Sequence, residues 1–112
     1  MKIAVPVTDG VLSMHFGHCE QFALFDVDPD GKKVEGKKML TPPPHEPGTF
    51  PRWLHEHGAT VIIAGGMGSR AQDLFGQNNI KVVVGAAGGT PDEVVRSFLE
   101  GSLEVGANTC DH

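Results

Sequence analysis

The stretch "VIIAGGMGSRAQDLF", residues 61–75, decides the fold class. With Thr60 ahead of it, its first part is a short β-branched run and reads as a strand, too brief for a helix. Glycines at 65, 66 and 68 then break the chain into a turn, and Ser69 with Gln72 fits the capping box of a helix. "IKVVVGA", residues 80–86, is a strand again. A strand, a covering helix and a second strand form a unit that pairs its strands in parallel, which places the chain among α/β proteins.

Downstream, "TPDE" opens a last helix. Thr90 caps it, Pro91 takes the first position, Glu93 closes the box, and Val94, Val95, Phe98 and Leu99 supply the buried face. Upstream, Thr49 reads as the cap of a segment in which Phe50, Trp53, Leu54 and His57 recur at helical spacing until Gly58 ends it. "TPPPHEPG", residues 41–48, is a rigid extended connection.

The N-terminal third reads as a meander. "KIAVPV", residues 2–7, is a buried strand, and residues 8–20 form a long polar connection. "QFALFDVD", residues 21–28, carries apolar side chains on both faces, as an interior strand does. After the turn at Pro29 and Gly31, the Lys-rich "KKVEGKKML" reads as an outer strand, because lysines discourage unwanted pairing at a sheet edge. The expected order is β-β-β-α-β-α-β-α, folding as a mixed five-stranded sheet of order 3-2-1-4-5 flanked by three helices.

A chain of 112 residues is the length of one domain, here with residues 101–112 as a C-terminal tail. A net charge of −5 repels phosphate backbones, so no nucleic-acid partner is expected. The apolar runs are strand-length and fall far short of the roughly 20 residues of a spanning helix, so no membrane partner is expected. The opening "MKIAVPVTDG" has no signal-peptide core, and Cys19 and Cys110 are too few for a disulfide scaffold. A cytoplasmic protein with free or metal-bound thiols is the expectation. The lysine edge favours a monomer, or at most a weak dimer.

Chemistry-bearing residues gather at two places. "HFGHC" brings His15, His18 and Cys19 together, and the terminal "NTCDH" adds Cys110 and His112. Imidazole and thiolate suit zinc, copper, iron and metal-sulfur clusters, and a returning tail would complete a four-ligand set. The same loop also reads as a structural connection with Cys19 buried as a small hydrophobe. The same tail also reads as an ordinary chain end. His45 reads as a solvated loop residue, and His55 and His57 as residues of a packed helix end. Gly65, Gly66 and Gly68, with Gly88 and Gly89 before the last helix, are positioned to present backbone N–H groups to an anion, or are simply tight turns. There is no nucleophile elbow and no placed carboxylate pair, so no enzyme activity is expected. Cys19 with a neighbouring imidazole is the one alternative to that reading.

The segments "KIAVPV", "HFGHCEQFALFDV", "VIIAGGMGSRAQDLF", "IKVVVGA" and "GSLE" resemble the dinitrogenase iron-molybdenum cofactor biosynthesis family. That family includes nitrogenase cofactor carriers, the C-terminal region of a cofactor-assembly protein and small homologues such as the orange protein, which holds a molybdenum-copper sulfide cluster. The resemblance implies a ribonuclease H-like fold and transient carriage of a molybdenum- or iron-containing sulfide cluster between a donor and an acceptor protein, without turnover. Nuclease activity does not carry over, since "KIAVPV" holds no carboxylate. Cys19 and the closing "CDH" depart from the common pattern and add soft ligands, so a single Zn, Cu or Fe ion is an alternative cargo. His15, His18, Cys19, Cys110 and His112 are the expected ligands, with Gly65, Gly66 and Gly68 beside the cluster. Because imidazole and thiolate bind only when deprotonated, affinity is expected to fall below pH ~6. The rival reading is a regulatory or protein-interaction module whose His/Cys loop is purely structural.

Overall fold

The fold is described from a computed structural model covering residues 1–13, 20–28, 30, 33–43, 49–86 and 89–101. The elements run β1 (Lys2–Thr8), β2 (Val11–Leu12), β3 (Gln21–Asp28), β4 (Lys33–Leu40), α1 (Thr49–Glu56), β5 (Val61–Ile63), α2 (Ser69–Gln77), β6 (Lys81–Val83) and α3 (Pro91–Glu100). The strands form one sheet along the path β4-β3-β1-β5-β6, with β2 paired to β1 off that path. Numbering only the strands of three or more residues, the path reads 3-2-1-4-5. β2, β3 and β4 join antiparallel, whereas β1, β5 and β6 are parallel.

The expected five strands are therefore six. β2 lies inside what the sequence presents as a polar connection, and a two-residue turn creates it. Asp9 and Gly10 both take positive φ, 54° and 79°, between the paired residues Thr8 and Val11. Positive φ at both central positions is the type I′ geometry whose twist matches the flanking strands.

Alternation along β1 divides the interior in two. Ile3, Val5 and Val7 face a core that includes Phe25, Ile63, Val94, Val95 and Leu99, and so bury one side of α3. Ala4 lies in the opposite core with Phe22, Leu54, Ile62, Met67 and Phe75, beneath α1 and α2. Helices thus cover both faces, and the central strands need apolar residues in unbroken runs. On the α1 side, Phe22 meets Phe50 edge-on at 5.5 Å and tilts against Trp53 at 5.8 Å, favourable aromatic geometries. Trp53 packs edge-on against His57 at 5.0 Å, and His55 is exposed in the last turn of α1. β4 is exposed from Lys33 to Met39 and forms one edge of the sheet.

The helix ends differ in their chemistry. α3 starts on Thr90, whose hydroxyl accepts the Glu93 N–H at 3.2 Å and donates to the Glu93 carboxylate at 3.0 Å; Gly101 closes it with φ 75°. For α2 the expectation of a Ser69 cap is corrected. Ser69 is already helical, and Gly68, extended at φ −65° and ψ 153°, is the cap residue. Gln72 accordingly gives its N–H to the Gly68 carbonyl, and its side chain donates to the Met67 carbonyl at 3.0 Å. Thr49 likewise stands within α1 as its first residue.

Candidate functional site

β1 and β5 are parallel, so their carboxyl ends open onto the same edge of the sheet. Ligands in open α/β sheets bind outside such strand ends. Three stretches of chain converge there. From β5 the backbone runs into residues 65–68. The parallel ladder with β6 continues into this turn, because the Ala64 N–H donates to the Val83 carbonyl at 2.9 Å and the Gly85 N–H donates to the Gly65 carbonyl at 3.1 Å. Gly65 and Gly66 are buried, whereas Gly68 is partly open. Neither its φ nor crowding demands a glycine at 68, since a Cβ there would meet nothing within 4 Å. What the missing side chain leaves is open space over the start of α2.

That helix start is electropositive by default. Its cap residue Gly68 has no side chain to accept an N–H and its first turn holds no carboxylate, so nothing in α2 offsets the positive end of the helix dipole. α3 contrasts with it, having Thr90, Asp92 and Glu93 at its own start.

The second stretch is the β1–β2 hairpin. Beyond it, the Ser13 N–H donates to the Pro6 carbonyl at 2.8 Å, and on the other strand side the Glu20 N–H donates to the Val7 carbonyl at 2.9 Å. Ser13 and Glu20 flank residues 14–19, and both are thereby anchored at the carboxyl end of β1. A charge-assisted bond ties Glu20 further to the hairpin, because the Asp9 N–H donates to the Glu20 carboxylate at 2.8 Å. The third stretch is Gly89, with φ 110°, whose carbonyl accepts the Leu12 N–H at 2.8 Å. The start of α3 is fastened to β2 by this bond.

Of the residues expected in the site, Gly65, Gly66 and Gly68 stand at this edge. His15, His18, Cys19, Cys110 and His112 lie outside the described residues, as do His45 and Gly88. Among the described residues there is no group of three or more His, Cys, Asp or Glu side chains able to hold a metal ion. The framework residues Asp9, Gly10, Ser13, Glu20 and Gly85 were not singled out from the sequence. "DG" between Thr8 and Val11 was the available signal for the first two; the others depend on long-range pairing. Arranged in this way, the edge presents an uncapped helix start and an unobstructed glycine, and it anchors both flanks of a His- and Cys-bearing segment. Such an edge suits an anionic ligand that also takes soft donors.

Residues 1–101 match the dinitrogenase iron-molybdenum cofactor family. An uncharacterized protein of Methanocaldococcus jannaschii is 33% identical over 109 residues, spanning 93% of this chain and 90% of its own. Among solved structures, that of PH0822 superposes with a TM-score of 0.86 at 30% identity and 94% coverage of both chains. The apo form of the orange protein from Desulfovibrio gigas superposes with a TM-score of 0.72 at 26% identity, covering 96% of this chain and 93% of that one.

Proposed function

The chain belongs to the dinitrogenase iron-molybdenum cofactor family, and on that premise we propose that it is a non-catalytic carrier which binds a molybdenum- or iron-containing sulfide cluster and passes it between cluster-handling proteins. The whole chain, 1–112, acts as one ribonuclease H-like domain with 101–112 as its tail. His15, His18 and Cys19 are the first ligands, and Cys110 and His112 close the set from the tail. Backbone at Gly65, Gly66 and Gly68 lies against the sulfide face. A single Zn, Cu or Fe ion is the alternative cargo for the same ligands.

The observation that carries this reading is the pairing of an uncapped α2 start, left open by Gly68, with Ser13 and Glu20 fixed at the same strand ends. A sulfide cluster carries net negative charge and soft metal sites. It is stabilised by helix-start N–H groups on one side and by imidazole or thiolate on the other. An interaction module with a structural His/Cys loop has no use for the first of these.

Elemental analysis and absorption spectra of anaerobically prepared full-length protein test the proposal. The wild type is expected to hold metal and sulfide, and both His15→Ala and Cys19→Ser to lose most of it while keeping the native circular dichroism spectrum. Unchanged metal content in both variants would reject these ligands.

A further inference from the structure

The opposite edge of the sheet carries a second set of observations. Among the described residues β4 pairs with β3 alone, so the main-chain groups on its other side form a sheet edge that no described strand covers. Its register slips between Asp26 and Val27, which puts a bulge at Glu35 and leaves residues 36–39 as the straight part of the edge. Gly36 sits in that part. Its Cβ would meet only the Asp26 Cβ at 3.9 Å and its φ is not positive, so neither strain nor crowding accounts for a glycine in mid-strand. A glycine within a strand accompanies a bulge or a close approach by another backbone; Gly36 adjoins the bulge at Glu35 and leaves the edge beside it unobstructed for such an approach.

A hollow lies on each face of the sheet beside β4. On the α3 face, Lys33, Val34, Asp92, Arg96 and Leu99 line a cavity of about 280 Å³. On the opposite face, Lys2, Leu24, Asp26, Gly36, Lys37 and Lys38 border another of about 220 Å³, which reaches inward over β3 toward β1. Side chains of an added strand alternate between faces, and those on the α3 face would meet the hollow between β4 and α3. The edge beside a flanking helix is also the geometry by which some peptide-binding domains add a ligand strand.

Charge selects the occupant. The strand holds three lysines against one glutamate in a chain of net charge −5. Lys37 is engaged by Asp92 at 2.8 Å and lies over the Phe25 ring at 5.7 Å. Lys33 and Arg96 line the α3-side hollow with Val34 and Leu99, their charge offset only by Asp92, which is engaged by Lys37, and Lys38 is exposed on the other face. We propose that the β4 edge, through residues 33–39 and the hollow between β4 and α3, docks an extended segment of a partner protein in which acidic and apolar residues alternate. A second copy of this chain is disfavoured, because two lysine-rich edges repel. The edge is separated from residues 65–68 by β3 and β1, so the proposal stands or falls apart from the cluster-carrier reading.

The test is an amide NMR titration of the full-length protein with two acetylated octapeptides, one alternating Glu with Val and one alternating Lys with Val. The Glu peptide is expected to shift amides of residues 34–39 and to bind more weakly as salt rises. Lys38→Glu should weaken it by about fivefold or more. Gly36→Val, which the surroundings accommodate, should abolish the edge shifts with the rest of the spectrum unchanged. No binding at millimolar peptide, equal binding of the Lys peptide, or shifts confined to residues outside β4 would overturn the proposal. In each of those cases the lysines serve only to keep the edge from aggregating.

Discussion

Thr90 begins α3 with one hydroxyl that both accepts and donates a hydrogen bond to Glu93. Thr90→Ala removes both and is expected to cost about 1 kcal/mol, lowering Tm by roughly 4 °C in a thermal melt. Ser69 stands at the first helical position of α2 and does not cap it, so Ser69→Ala should stay within about 0.5 kcal/mol of wild type. The two positions share one sequence signature, a hydroxyl three residues ahead of Glu or Gln, and only the backbone angle at Gly68 separates them. At Gly10 the φ of 79° disfavours any side chain, and Gly10→Ala should destabilise by about 1 kcal/mol although a Cβ there touches nothing. Denaturant melts of the three variants check all of these.

Among the elements, α2 is where stability and carriage oppose each other. Gly68→Asp supplies the missing cap and places a carboxylate on the helix start, which should stabilise the fold by a few tenths to about 1 kcal/mol. The same carboxylate repels an anionic cluster, so metal and sulfide content should fall. Thermal melts and elemental analysis of one preparation test both halves, and a variant that is more stable yet fully loaded would remove α2 from the site. Most elements were legible because their signals are local. The β-branched runs of β1, β5 and β6, the cap and Pro91 of α3 and the lysines of β4 all act within a few residues. β2 was not, because two residues, Val11 and Leu12, have no periodicity of their own and are a strand only through β1. Nor was the bulge at Glu35, which exists only relative to β3.

At the scale of the whole molecule, the sheet separates two cores. Ile63 belongs to the α3 side and Ile80 to the α1–α2 side. Each Ile→Val change should cost about 1 kcal/mol, and the double variant should match the sum within about 0.5 kcal/mol because the two side chains share no cavity. Chemical denaturation of the single and double variants measures this, and strong coupling would show that the two layers respond as one. The Lys37–Asp92 ion pair links β4 to α3, with side chains 37% and 51% exposed, and should add less than about 1 kcal/mol. Among the described residues no helix is long and apolar enough to cross a membrane.

By itself the sequence determined the α/β class, the meander followed by strand-helix alternation, the solvent-facing character of β4 and the glycine turn after β5. These follow from side-chain period, turn chemistry and capping, which are encoded over a few adjacent residues. Only the tertiary structure decided that Ser13 and Glu20 are anchored at the strand ends where Gly68 opens the start of α2. It alone put Gly89 against Leu12 and left a hollow between β4 and α3. These are relations between segments tens of residues apart, decided by sheet register and by which face each core buries, and no local pattern specifies them.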